Sequence, residues 1–177
     1  LSVLRLLAEA GAGFDIVSGG ELYRVLKAGG DPASVVFSGV GKTREEIDYA
    51  LEQGIHGFNC ESEAEIALIS SLATRLGRTA SLSIRVNPDV DALTHPYIST
   101  GLKENKFGID ISEVEEVYQR AAQLPGISLD GVSCHIGSQL LDAAPALEAA
   151  GKLFALVQRL RARGIRIREF DLGGGLG

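Results

Sequence analysis

The residues best suited to chemistry lie in two segments, Ser133-Cys134-His135-Ile136-Gly137-Ser138-Gln139 and Gly173-Gly174-Gly175. Each segment follows a short apolar run that is typical of a buried strand. An imidazole packs well against a flat aromatic ring, and backbone N–H groups in a glycine turn bind phosphate. The hydroxyl of Ser138 adds a donor for a phosphate oxygen. Together the two segments suit a flat, phosphorylated cofactor.

Both segments also have simpler explanations. Ser133 and His135 share one strand face, opposite Val132, Cys134 and Ile136, and taken alone His135 is better explained as a core histidine. The glycine run alone is typical of a tight turn. Its spacing does not match the dinucleotide fingerprint, which also belongs to a first strand rather than a last one.

Asp15 and Arg85 are further candidates, because each lies at the end of another predicted strand. Asp15 suits pairing with a cationic catalytic group, but the residues after it also fit a helix-capping turn through Ser18. Arg85 shares a face with Ser83 and is expected to be buried. A buried arginine needs a partner, which is either Asp15 or a substrate anion. No metal-ligand spacing and no nucleophile elbow is present.

Short apolar runs alternate with helical patterns along the whole chain. The predicted strands span 14–17, 35–37, 56–60, 82–86, 131–136 and 168–172. The predicted helices span 21–28, 43–53, 62–76, 112–124 and 145–163, and residues 1–10 are also helix-patterned. Thr43 with Glu46, and Ser112 with Glu115, have the spacing of helix-capping boxes.

This alternation predicts parallel strands covered by helices, in an open doubly wound sheet or a (β/α)8 barrel. Nearly every predicted strand ends in a polar residue. In a barrel these ends meet on one face, whereas an open sheet spreads them along an edge. The pattern therefore favours the central part of a TIM-type barrel, with about six of eight strands, in one domain. The long loop from Asn87 to Asp110 is expected to be functional.

Composition narrows the classes of partner and compartment. The formal net charge is −6 and no basic cluster stands out, which argues against nucleic acid and anionic membranes. No apolar run reaches membrane-spanning length, and no signal peptide is apparent. Cys60 and Cys134 are interpreted as reduced, buried thiols of an intracellular, cytoplasmic protein. Because methionine is absent and the chain stops in a glycine motif, we expect a fragment.

Several motifs along essentially the whole chain resemble those of the diaminopimelate decarboxylases, and they occur in the same order. They are Phe14-Asp15-Ile16-Val17-Ser18-Gly19-Gly20-Glu21, Arg85-Val86-Asn87-Pro88, Thr94-His95-Pro96-Tyr97-Ile98-Ser99-Thr100-Gly101, Lys106-Phe107-Gly108, His135-Ile136-Gly137-Ser138-Gln139 and Gly173-Gly174-Gly175-Leu176-Gly177. The Thr94–Gly101 motif points to this family over the ornithine and arginine decarboxylases that share the fold.

The resemblance implies an enzyme with an alanine-racemase-like barrel and pyridoxal 5'-phosphate (PLP) as cofactor. The reaction is decarboxylation of meso-2,6-diaminopimelate to L-lysine and CO2 in lysine biosynthesis. His135 is expected to stack on the cofactor ring, and Ser138, Gly173, Gly174 and Gly175 to hold its phosphate. Asp15 and Arg85 are expected in the polar network beneath the cofactor. The family is dimeric when full length.

The resemblance also implies what residues 1–177 lack. The family's Schiff-base lysine is expected before Leu1, and the acid at the pyridine nitrogen and a C-terminal β domain after Gly177. Lys27, Lys42, Lys103, Lys106 and Lys152 fall on predicted helices or loops and do not replace that lysine. We therefore expect this segment alone to be inactive. The alternatives are a sister decarboxylase acting on ornithine, arginine or carboxynorspermidine, and a non-catalytic homologue.

Overall fold

The computed structural model describes residues 1–90, 107–175 and 177, in which helices and short strands alternate. The helices are α1 (Ser2–Glu9), α2 (Gly19–Lys27), α3 (Arg44–Gln53), α4 (Glu63–Arg75), α5 (Val114–Ala121) and α6 (Ala144–Ala162). The strands are β1 (Phe14–Ile16), β2 (Val35–Phe37), β3 (Gly57–Cys60), β4 (Ala80–Asn87), β5 (Ile109–Asp110), β6 (Ile127–Ser133) and β7 (Glu169–Asp171). A 3-10 turn spans Pro32–Ser34. The Thr94–Gly101 motif, Lys103 and Lys106 lie outside the described residues.

The first of two compact units comprises residues 1–60, 64–82 and 124–128. In it β1 pairs in parallel with β2, and β2 with β3. Phe37 and Phe58 stack with their ring centroids 6.0 Å apart and are almost completely buried. Because consecutive parallel strands need a crossover, each strand is followed by a helix, and the apolar faces of α2, α3 and α4 cover this core.

The second unit comprises residues 61–63, 83–123 and 129–177. Strands β4 and β6 begin in the first unit and end in the second. Here β4 pairs in parallel with β5, and β6 with β7, with Ser133 opposite Asp171. The Tyr118 hydroxyl donates a 2.6 Å hydrogen bond to the Gly131 carbonyl, which ties α5 to β6.

The structure confirms all six predicted strands and differs most at β6. That strand begins at Ile127, directly after the turn at Gly126. The sequence had indicated a start only at residue 131. It ends at Ser133, so the predicted extension to 136 is wrong. The reason lies in β7: the Cys134 amide still donates to Asp171 O at 2.9 Å, but the chain then turns at Gly173 with φ +73°. No further length of β7 remains to pair with His135.

Helix capping follows the sequence at α3 but not at α5. Thr43 and Glu46 form the predicted capping box, and Oε1 of Glu46 also accepts the Gly19 amide at the start of α2, at 2.9 Å. The backbone hydrogen bonds from Gly19 and Thr43 lower the pKa of Glu46. The predicted cap at Ser112 is wrong, because its hydroxyl and its amide both donate to Asp110 Oδ1 instead, at 2.6 and 2.8 Å.

Candidate functional site

The segment after β6 and the glycine turn after β7 lie in direct contact in the second unit. The Leu140 amide donates to Gly175 O at 2.8 Å, and the Gly177 amide donates to Leu140 O at 3.1 Å. Gly175 has φ +94°, and a Cβ there would overlap the Gly137 carbonyl oxygen. The structure therefore brings His135 and Ser138 together with the glycine run, as the sequence motifs suggested.

Gly173 must be glycine for a similar reason. Its φ is +73°, and an added Cβ would lie 2.7 Å from both Cys134 O and His135 Nδ1. Its amide donates to Asp171 Oδ1 at 2.7 Å, so this N–H is already used within the turn. Around Gly174, by contrast, nothing lies within 4 Å of the Cβ position. The open side of the turn is thus at Gly174, and Ser138, which is exposed, lies close to Gly175.

Arg85 forms an ion pair with Glu61, a residue that the sequence did not single out. Nη1 of Arg85 lies 2.7 Å from Oε1 of Glu61, and the two side chains are 15% and 5% exposed. The guanidinium also lies over the Phe107 ring, 5.6 Å from its centroid. The carboxylate paired with Arg85 is thus Glu61, where the sequence had suggested Asp15 or a substrate anion. Glu61 directly follows β3, so the pattern of polar residues at strand ends also contained this signal.

Asp15 lies in the first unit, exposed on β1, and its proposed part in the cofactor network stays a prediction. The capping interpretation of the residues after it is confirmed. Ser18 caps α2, with its hydroxyl accepting the Glu21 amide at 3.2 Å, and Glu21 Oε2 accepts the Val17 amide at 2.7 Å.

Lys42, predicted to sit in a loop, is a buried cation in the first unit. Its Nζ donates to Gly39 O at 2.7 Å, Asn59 O at 2.8 Å and Glu65 Oε1 at 2.7 Å. The lysine and glutamate side chains are 1% and 9% exposed. With its three N–H groups engaged in this way, Lys42 holds the ends of β2 and β3 to α4.

Cys134 provides a direct prediction about reactivity. Burial raises the pKa of its thiol to about 12, the nearby Asp171 carboxylate adds to this rise, and the Arg85 cation opposes it. A thiol with a raised pKa keeps its proton at neutral pH, and only the thiolate is nucleophilic. We therefore expect Cys134 to resist iodoacetamide between pH 7 and pH 9 in the native protein, and to react after unfolding. Mass spectrometry of the labelled peptides measures this, and rapid native labelling would contradict it.

Metal sites and membrane-spanning helices are both absent from residues 1–90, 107–175 and 177. No group of three or more His, Cys, Asp or Glu residues there is arranged to hold a metal ion. Among the helices described, none has both the length and the apolar character needed to cross a membrane.

The family described as "Pyridoxal-dependent decarboxylase, pyridoxal binding domain" matches residues 1–177. A diaminopimelate decarboxylase of Pseudomonas aeruginosa is 63% identical over the whole chain, which spans 43% of that relative's length. The crystal structure of diaminopimelate decarboxylase from Helicobacter pylori, complexed with L-lysine, superposes with a TM-score of 0.96 at 49% identity, over 99% of this chain and 45% of that one.

The arginine decarboxylase of Paramecium bursaria Chlorella virus superposes with a TM-score of 0.83 at 24% identity, over 98% of this chain and 44% of that one, which shows the fold alone. These likenesses confirm the predicted fold class, part of a TIM-type barrel. Since the family match spans every residue, the chain belongs to the pyridoxal-dependent decarboxylases and corresponds to their pyridoxal-binding domain.

Proposed function

We propose that the protein containing this chain uses PLP to decarboxylate meso-2,6-diaminopimelate to L-lysine and CO2. The observation that carries the proposal is the contact between the His135–Ser138 segment and the glycine turn, in a chain of this family. The substrate is supported by the 63% identity to a diaminopimelate decarboxylase and by the L-lysine in the Helicobacter pylori structure. Identity to the viral arginine decarboxylase is only 24%.

The residues present fit a phosphorylated cofactor. Cβ atoms at Gly173 and Gly175 would collide with the Cys134 and Gly137 carbonyl oxygens, so glycine at both positions lets the turn pack against the segment after β6. Backbone amides in such a glycine turn can bind an anion. Because the Gly173 amide donates to Asp171, we assign phosphate contact to the Gly174 and Gly175 amides and the Ser138 hydroxyl. His135 is the residue we assign to the face of the pyridine ring.

When bound, PLP supplies an electron sink for the negative charge that remains as CO2 departs. The residues of this chain hold and orient that group. The imidazole of His135 would limit the tilt of the ring, and the glycine turn would hold the phosphate. We assign the covalent lysine, the acid at the pyridine nitrogen and the remaining substrate contacts to other parts of the protein. A homodimer and a cytoplasmic location are part of the same proposal.

The full-length protein tests this function directly. We expect CO2 release from meso-diaminopimelate, and little from L-ornithine, L-arginine or carboxynorspermidine. Reduction with borohydride followed by peptide mapping should label a lysine outside residues 1–177. Preference for another amino acid would favour a sister decarboxylase, and PLP binding without turnover would favour a non-catalytic homologue. A labelled lysine within 1–177 would contradict the assignment of the site.

His135→Ala in the full-length protein is expected to weaken PLP binding about 2- to 13-fold, because stacking of aromatic rings contributes roughly 0.5–1.5 kcal/mol beyond burial. Turnover should fall as well. Fluorescence titration of the apoenzyme measures the affinity. His56→Ala is the control, because His56 is exposed in the first unit. Unchanged affinity and turnover in His135→Ala would support the core-histidine explanation instead.

A further inference from the structure

Among the residues of the second unit that the structure describes, two buried oxygen atoms have no hydrogen-bond partner. They are Oε2 of Glu61 and Oγ of Ser133, in residues that are 8% and 2% exposed. Buried polar atoms are almost always paired, and an exception calls for an explanation. Oε1 of the same Glu61 carboxylate does have a partner, Arg85. Glu61 therefore contacts Arg85 directly, and the position of Ser133 relative to Arg85 follows from the strand register.

Strand register locates Ser133 next to Arg85. The Ala80 amide on β4 donates to Gly126 O, just before β6. Further along, a Cβ at Gly131 on β6 would overlap Ser83 Oγ on β4. Both strands thus advance in the same direction, and Ser83 and Gly131 lie opposite each other on one face. Two residues beyond Ser83 and Gly131 come Arg85 and Ser133, and the strand period of two puts them side by side on the same face.

His135 lies two residues beyond Ser133, which is the last residue of β6, so Arg85 lies at the strand end that leads to the imidazole. The effect on Cys134 agrees with this position, since the Arg85 charge acts on the pKa of that thiol. The arginine is held there from one side by Glu61, at 2.7 Å, and from another by the Phe107 ring. Glu61 engages one nitrogen of a group that carries five N–H donors in a rigid plane.

We propose that Glu61 is a positioning residue of the cofactor site, acting through Arg85. Its carboxylate fixes the plane of the guanidinium at the end of β6, beside Ser133, and balances the charge of the arginine. This inference rests on the proposed function, because PLP is the group that Arg85 is positioned to contact. Without the carboxylate, the arginine is a cation that is largely buried and free to reorient, and the cofactor loses a fixed wall of its site.

The test uses the full-length apoenzyme titrated with PLP, and follows both affinity and the visible circular dichroism of the bound cofactor. Glu61→Gln keeps the size of the side chain and removes its charge. We expect its PLP dissociation constant to rise about fivefold or more and its visible dichroic band to weaken. Glu61→Asp should recover part of both signals. A role confined to stability would leave the dichroic band unchanged.

A double-mutant cycle with Arg85→Gln decides whether Glu61 acts through the arginine. In the Arg85→Gln background, we expect Glu61→Gln to change the PLP dissociation constant by less than about twofold. That double variant also removes both buried charges, so it provides a measurement if the single variant does not fold. The matched control is Glu63→Gln, which breaks the exposed Glu63–Arg120 pair of the same 2.7 Å length, and should leave PLP binding unchanged.

The inference is overturned if Glu61→Gln binds PLP with wild-type affinity and dichroism, or if its effect is as large without Arg85 as with it. Failure of the wild-type protein to bind PLP would instead overturn the proposed function. The two failures are therefore distinguished by the wild-type titration alone.

Discussion

Gly175→Ala is expected to abolish useful PLP binding in the full-length protein. Its Cβ would overlap Gly137 O and lie 3.2 Å from the Ser138 Cα, at a backbone φ of +94°. The left-handed conformation alone costs a non-glycine residue about 1–3 kcal/mol. Both neighbours belong to a backbone turn that cannot rotate away as a side chain can, so either the glycine turn or the Gly137–Ser138 turn must move.

We expect PLP affinity to fall roughly 100-fold or more, which corresponds to about 3 kcal/mol. The measurement is a fluorescence titration, with a denaturation curve to confirm that the protein is folded. Gly174→Ala is the control for folding, because the space around its Cβ position is open, and its unfolding midpoint should match the wild type. Gly175→Ala with an affinity within about threefold of wild type would show that this contact is not needed.

Lys42→Met is expected to destabilise the protein by about 3–5 kcal/mol, the usual effect of breaking a buried ion pair from one side. The change removes a cation from Glu65 and the donor for the Gly39 and Asn59 carbonyls. Hydrogen exchange measured by mass spectrometry should accelerate in peptides covering 38–43 and 59–65, which these contacts join. Urea denaturation provides the overall change in the free energy of unfolding.

Lys27→Met is the control, because Lys27 is exposed on α2 with its Nζ over the face of the Tyr23 ring. It should change the free energy of unfolding by less than about 0.5 kcal/mol. The double variant Lys42→Met/Glu65→Leu should recover part of the loss, because apolar residues often replace a buried ion pair at little cost. A loss below about 1 kcal/mol in Lys42→Met would contradict a stabilising role.

Features governed by neighbouring residues were predictable from the sequence. The strands are short apolar runs because parallel strands are buried on both faces, and the Thr43–Glu46 capping box follows from a spacing of three residues. The same reasoning failed at Ser112, because the Asp110 carboxylate two residues earlier competes for its hydroxyl and amide. A capping-box spacing therefore predicts the cap only where no other nearby side chain competes for the same hydroxyl and amide groups.

Features that depend on pairing between distant strands were not predictable. Arg85 and Glu61 are 24 residues apart, and nothing in their spacing distinguishes Glu61 from Asp15 as the partner. The burial of Lys42 likewise depends on how the ends of β2 and β3 meet α4. By contrast, the proximity of the His135–Ser138 segment and the glycine run could be expected, because each follows a predicted strand and strand ends meet on one face of a barrel. The contact itself, Gly175 against Gly137, is visible only in three dimensions.

The double role of Glu46 has a consequence for the response to acid. One carboxylate caps α3 and also holds the first amide of α2, so two helix starts share a single proton-sensitive group. Its pKa is lower in the folded state, so the stabilisation is complete above the unfolded-state value and is lost as the pH falls through the folded-state value. Protonation of this one side chain would therefore loosen the starts of α2 and α3 together. The two helix starts would respond to acid as a single cooperative element rather than as two independent ones.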